Sequence, residues 1–228
     1  NNITSIDRVV ASADEESNAQ DSTGTGYTDG DFDVYDVDRS AVGSWADAYV
    51  DHNGASGDRQ LTASLMDDFI GSLVQNGTAR REDLVIFTGY DSARVLSDLR
   101  EDRGRYMADT SASRESVNDA ETRLGQSATF RFRDWDGIPI VEVESMPSDS
   151  LSRIFALDMS DKVVDGQNYG PKIGIENYMA PYVERSGQGQ SQGFLATGEF
   201  KNKVLYLLYH ELVCRDFSAQ GKLRDLSE

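Results

Sequence analysis

The chain has 228 residues, 38% of them apolar and 27% charged, and a formal net charge of −18. That length and apolar content suffice for one large domain or two small ones. The charge disfavours phosphate backbones and anionic lipid as partners, and the lack of an unbroken apolar run of about 20 residues excludes a membrane-spanning helix.

In chain order, residues 1–10 end in Ile-Asp-Arg-Val-Val, which reads as a first strand. Residues 11–30 are dense in Asp, Glu, Ser, Thr and Gly, the composition of a solvated loop reaching away from the core. Residues 31–37 alternate as a half-exposed strand, 44–50 suggest a turn of helix, and 51–58 form a loop by their Asn-Gly and Ser-Gly pairs.

Residues 61–107 then read as helix, strand, helix. Leu61, Leu65, Met66, Phe69, Ile70, Leu73 and Val74 recur along one side of a 3.6-residue helix. Asp58 or Thr62 is placed to cap its start, and Gly77 to end it with positive φ. Leu84–Thr88 is a short β-branched and aromatic run expected to be a buried strand. Asp91 is positioned to cap a second helix that turns Val95, Leu96 and Leu99 inward. The turn after the strand lacks both the P-loop lysine and the glycine spacing of a dinucleotide fingerprint.

Residues 108–127 are polar, with a helical patch expected at 114–124. Phe130 and Phe132 alternate with Arg131 and Arg133, and Asp136-Gly137 is a strong hairpin signal returning through 138–143. Further strands are expected at 153–158 and, as one or two, within 172–182. Residues 186–193 suggest a hairpin tip, and 204–215 a long final strand, with a helix as the alternative.

The acids are spread through every segment, and 17 of the 22 cations are arginine. Dispersed aspartate with little lysine suits molar salt, where screening over about 3 Å removes self-repulsion. This points to a halophile, against the plainer reading of an ordinary acidic protein. Local arginine clusters, such as Arg100, Arg103 and Arg105, are the places where an anion could still be met. The single cysteine, Cys214, cannot form an internal disulfide and is expected to be a buried free thiol.

The chemical motifs are weak. His210-Glu211 would need a second histidine four residues on to form a zinc helix, but that position is Cys214. Asp29, Asp31, Asp33, Asp36 and Asp38 resemble a calcium loop, yet its sixth and twelfth positions are Val34 and Ser40 instead of Gly and Glu. Asp29, Asp31 and Asp33 therefore remain only loose candidates for a cation, and no cofactor is expected. Asn2-Ile3-Thr4 and Asn76-Gly77-Thr78 fit the glycosylation pattern, which is short enough to arise by chance. No Ser sits in a Gly-x-Ser-x-Gly elbow, so a non-enzymatic role is expected.

The order of segments resembles the later part of a tailed-virus major capsid protein of the Hong Kong 97 type. The matching residues are Leu84 to Phe87, the helix from Asp91 to Leu99, Gly104-Arg105-Tyr106 and Gly137-Ile138-Pro139-Ile140-Val141, followed by closing strands. The resemblance implies an α+β fold with mixed sheets and a few helices. Residues 1–60 would carry N-terminal strands and an extended acidic loop, 61–156 mainly the axial domain, and 157–228 strands returning to the peripheral domain. The family's spine helix and E-loop are not placed and are expected upstream of Asn1. The resemblance further implies hexamers and pentamers of one chain, decoration or turret proteins and a portal as partners, and only non-specific contact with packaged DNA. No membrane partner is implied, and the location would be the virion, assembled in host cytoplasm. A halophilic calcium-binding surface or adhesion module is the alternative, and a halophilic hydrolase a further rival.

Overall fold

The computed structural model describes residues 5–21, 23–106, 133–185 and 204–228. It is a mixed α+β structure. Helices α1 (Ile6–Val9), α2 (Ala13–Asn18) and α3 (Arg39–Val42) precede strands β1 (Tyr49–Asp51) and β2 (Arg59–Gln60). Helix α4 (Ala63–Asn76), strand β3 (Leu84–Thr88) and helix α5 (Tyr90–Tyr106) follow. The chain continues through β4 (Arg133–Trp135), β5 (Ile138–Glu142), β6 (Ile154–Asp158), β7 (Asp161–Val164), β8 (Gln167–Pro171), β9 (Ile173–Arg185) and β10 (Val204–Cys214), and ends with β11 (Gln220–Leu223) and β12 (Leu226–Ser227).

One six-stranded sheet has the order β1-β11-β6-β3-β5-β4. Its pairings are mixed: β3 runs parallel to β5 and antiparallel to β6, and β11 runs antiparallel to β6 and parallel to β1. Strand β6 is buried along its whole length, so Ile154, Phe155, Ala156 and Leu157 form a continuous apolar run and not an alternation. Helix α4 packs its apolar side on this sheet. Met66, Phe69, Ile70 and Leu73 join Leu84, Ile86, Leu96, Ile138, Ile154 and Leu223 in the main core. Each fully buried side chain of this size is worth roughly 1.5–3 kcal/mol.

The central expectations hold with two adjustments. Thr62 caps α4, its hydroxyl accepting from the Leu65 N–H at 3.2 Å. Gly77 ends the helix with φ −98°, an extended and not a left-handed conformation. Its glycine requirement is steric, because an added Cβ would meet the Ser218 carbonyl oxygen at 2.2 Å and that of Leu73 at 2.6 Å. Asp91 lies inside the first turn of α5 instead of before it, and its Oδ2 accepts from the Ser152 N–H at 2.8 Å. The Asp136-Gly137 turn joins β4 to β5 with positive φ at both residues.

Three expectations are corrected, and one hairpin is new. Residues 6–9 are helical, with Ser5 accepting from Arg8 N, and the adjacent Val9 and Val10 are both buried, which an alternating strand cannot do. Residues 11–19 are not part of a solvated loop, since α2 lies there and Ala11, Glu15, Glu16 and Ala19 are buried, whereas 23–30 are the expected irregular and mostly exposed chain. Residues 31–37 form turns with positive φ at Tyr35 and Asp36, because the Tyr35 hydroxyl is drawn to β10, donating to Leu212 O at 2.7 Å and accepting from Cys214 N at 3.0 Å. The two strands β7 and β8 had no counterpart in the sequence reading, although their Asp165-Gly166 turn carries the same signal as Asp136-Gly137.

Residues 173–185 form one long strand, and 204–214 are a strand and not a helix, antiparallel to it. The helical patch at 114–124, the pair Phe130 and Phe132, and the hairpin tip at 186–193 lie outside the described residues.

Two glycines give an opposed pair of tests. Gly71 lies within α4 with nothing near an added Cβ, so Gly71→Ala is expected to stabilise the protein by about 0.5–1 kcal/mol. Gly77→Ala is expected to destabilise it by about 1–3 kcal/mol through the Ser218 clash. Urea midpoints of the two variants check both signs.

Candidate functional site: a buried charge network and an exposed ribbon

Two features stand out: a set of charges sealed between the N-terminal segment and the C-terminal strand, and a two-stranded ribbon that extends from the core.

The network begins with alternation. Lys222 lies on β11 and Arg224 just beyond it, two residues apart and therefore on one side of the strand. Both are fully buried. Facing them is Glu15 in the first turn of α2, also fully buried. Lys222 Nζ lies 2.6 Å from Glu15 Oε2, and Arg224 Nη1 donates to Glu15 Oε1 at 2.7 Å. Lys222 also donates to Asp7 Oδ1 at 3.3 Å and to the Asp7 carbonyl at 3.0 Å.

Arg153 Nη1 reaches both Asp7 oxygens at 2.9 Å, while its other nitrogens hold Asp149 at 3.1 and 2.9 Å. Arg224 Nε closes on Asp225 at 2.9 Å. Aromatic faces complete the enclosure: Lys222 lies 4.9 Å from the Phe32 ring centroid and Arg224 5.3 Å from that of Tyr27.

The electrostatics follow from this geometry. Burial opposes the charged form of Asp7, but the charges of Lys222 and Arg153 and their hydrogen bonds outweigh it and hold the carboxyl below its ordinary 3.8. Asp149 is likewise lowered, burial being overcome by the hydrogen bond and charge of Arg153 and the charge of Arg224. Burial alone would lower Arg153, yet its bonds to Asp149 and the charge of Asp7 raise it. Removing one partner of such a set leaves a buried charge uncompensated, at a cost of about 3–5 kcal/mol.

Beside the network, the fully buried Arg39 uses its fork on carbonyls. Nε donates to Phe32 O at 2.8 Å, Nη1 to Ala11 O at 2.8 Å and to Ala46 O, and Nη2 to Val9 O at 2.7 Å and Arg8 O at 3.1 Å. Its guanidinium stands 5.1 Å from the Phe217 ring centroid. Desolvation, the largest influence, lowers its pKa.

The sequence motif Ser12-Ala13-Asp14-Glu15 has the form of a capping box and could have located α2. Ser12 does cap, accepting from Glu15 N at 3.1 Å, but the Glu15 carboxylate is turned to Lys222 and Arg224. Nothing local marks the pairing, since 209 positions separate Glu15 from Arg224.

The loosely proposed cation residues are used locally. Asp31 Oδ2 accepts from the backbone and hydroxyl of Thr28 at 2.7 and 2.9 Å, Asp33 Oδ1 accepts from Arg39 N at 3.3 Å, and Asp38 caps α3. Asp29 is exposed near them, and among the described residues no three potential metal ligands come together. His210 is exposed on β10, paired in register with Asn177. Arg100 is engaged with Asp134 at 2.5 Å. Cys214 is a buried free thiol, pushed up to about 12 by burial.

The ribbon consists of β9 and β10, paired from Ile173↔Cys214 to Arg185↔Val204. Thirteen residues of β9 span roughly 40 Å. At its root Ile173 is buried in the second core with Cys214, whereas Ile175, two positions on and on the same face, is 66% exposed. The adjoining β7–β8 hairpin exposes Val163 and Tyr169 by 60% and 52%.

Among known proteins, no family model and no curated protein matches this chain. In fold it is similar to a chain of the "Cyanophage A-1(L) capsid asymmetric unit", with a TM-score of 0.45, 15% identity and coverage of 86% of this chain. The chain spans 56% of the length of that one.

Because Asp7 and Asp149 have folded values below the unfolded one, their stabilisation is complete above the unfolded value and is lost as pH falls through the lowered folded values. Stability is therefore expected to decline as the pH drops below about 4. Asp7→Asn should lower the urea midpoint at pH 7 and make the remaining acid decline shallower. An unchanged acid slope in that variant would refute the assignment.

Proposed function

We propose that the chain is a structural subunit of a tailed-virus capsid of the Hong Kong 97 type, from a virus of a halophilic archaeon, forming hexamers and pentamers around double-stranded DNA. The observation that carries this reading is the β9–β10 ribbon. A two-stranded ribbon is marginal by itself in water. Its apolar face passes from the buried Ile173 to the exposed Ile175, so it offers surface suited to a neighbouring subunit. Rotational assembly of one chain requires such a heterologous contact.

The element series supports the same reading: α4, β3, α5, then the Gly-Ile-Pro-Ile-Val strand β5 parallel to β3. In this arrangement residues 61–156 supply most of the axial domain, joined by β11, and the ribbon of 157–228 belongs to the peripheral domain. Residues 1–60 form the acidic N-terminal part. The buried titratable groups serve packing: Asp7, Glu15, Asp149, Arg153, Lys222 and Arg224 pair their charges with one another. This agrees with a structural and not a catalytic role. No helix among the described residues is long and apolar enough to cross a membrane. Virion location, assembly in host cytoplasm, and decoration or turret proteins and a portal as partners follow from the proposal.

Light scattering and negative-stain imaging in molar KCl test it. Rings of five or six subunits, or closed shells, are expected, and replacing Ile175 with Asp should reduce them. A monodisperse monomer at all concentrations would overturn the reading for this chain. The net charge of −18 should also make the melting temperature rise between about 0.1 and 2 M KCl. A further rise with calcium at equal ionic strength would favour the surface or adhesion module instead.

A further inference from the structure

The segment 5–42 contains α1, α2 and α3 and contributes no strand to the six-stranded sheet. Two separate devices act on it. The first holds it together internally: four of the five carbonyls gripped by Arg39, those of Arg8, Val9, Ala11 and Phe32, belong to the segment itself, and Arg8 in turn donates to the Asp33 and Gly30 carbonyls. The second fastens it to the body. Glu15 meets Lys222 and Arg224, and Asp7 meets Lys222 and Arg153, with Asp149 and Asp225 occupying the remaining sides of these cations.

What the segment covers is apolar. Val9, Val10 and Val34 from the segment pack with Phe155, Leu157, Ile173, Cys214 and Phe217 from the body. This second cluster is distinct from the main core on which α4 rests.

We propose that residues 5–42 form a strap, made one body by Arg39 and latched by Glu15 and Asp7, that opens as a unit and uncovers the apolar cluster around Cys214 while the six-stranded sheet stays folded. The strap also meets the body through the Tyr35 hydroxyl on Leu212 and Cys214 and through Arg39 on Ala46, but its charged latch and its internal clamp use different residues, so weakening the latch favours release of the strap without dissolving it. The main core does not include Val9, Val10 or Val34, so the face of the sheet that carries α4 keeps its packing when they leave, while Phe155 and Leu157 on the other face of β6 are uncovered. This opening does not depend on the capsid reading.

Cys214 is the chain's one cysteine and lies under the strap, so it reports the opening. The experiment is the rate of modification of Cys214 by a disulfide reagent such as dithiobis(nitrobenzoate) in the full chain in molar KCl, beside far-UV circular dichroism. Glu15→Gln removes the charge that Lys222 and Arg224 share, and is expected to raise the rate roughly a hundredfold with the sheet signal retained. Asp29→Asn, in the same segment but exposed, is expected to leave it unchanged.

In the unsubstituted chain the rate should be nearly independent of urea well below the unfolding midpoint. The proposal fails if Glu15→Gln folds but labels at the original rate, which would assign exposure of Cys214 to fraying of the ribbon. It fails equally if Glu15→Gln unfolds the sheet, or if labelling of the unsubstituted chain follows global unfolding at every urea concentration.

Discussion

Everything at the N-terminal side of this protein depends on one constraint: two cations, Lys222 and Arg224, lie fully buried at the end of a central strand and must be neutralised. Leaving either charge unpaired would cost a large part of a domain's net stability. Glu15 is delivered to them by α2, and Asp7 by α1. The position of the first forty residues is thus dictated from the other end of the chain. Ion pairing of this kind is weakly screened by salt because the groups are dry.

The sheet obeys a different logic. Its centre is apolar and its order interleaves segments far apart in sequence, with β11 inserted between β1 and β6. Gly221 on β11 permits this, since an added Cβ would lie 2.9 Å from Leu73 and 3.0 Å from Phe69. The C-terminal strand is therefore wedged directly beneath α4, and the charged latch begins at the next residue, Lys222. The ribbon differs from both: it is a two-stranded element, of a kind that is marginal by itself in water.

How much of this was legible depends on range. The α4 stripe, β3, β5 and β6 could be read because each buries a face or a run whose period matches its own secondary structure, and β10 from its Tyr, Val and Leu content. The N-terminal segment was misread as solvated loop because its acids are the usual mark of a wet surface, while Glu15 and Glu16 are in fact enclosed. Its capping-box spacing was the better guide. Of the candidate site, the alternation of Lys222 and Arg224 was present in the sequence, but carried no indication that both face inward.

By itself the sequence determined the local elements around α4, the reduced state of Cys214, the overall acidity, and the α+β class, because these follow from periodicity, count and composition. Only the tertiary structure decided that Glu15 meets Arg224, that Arg39 grips five carbonyls, and that Ile175 lies past the edge of the core that buries Ile173. The reason is physical: a charge or an apolar side chain acquires its role from what surrounds it in space, and those surroundings come from residues up to two hundred positions away.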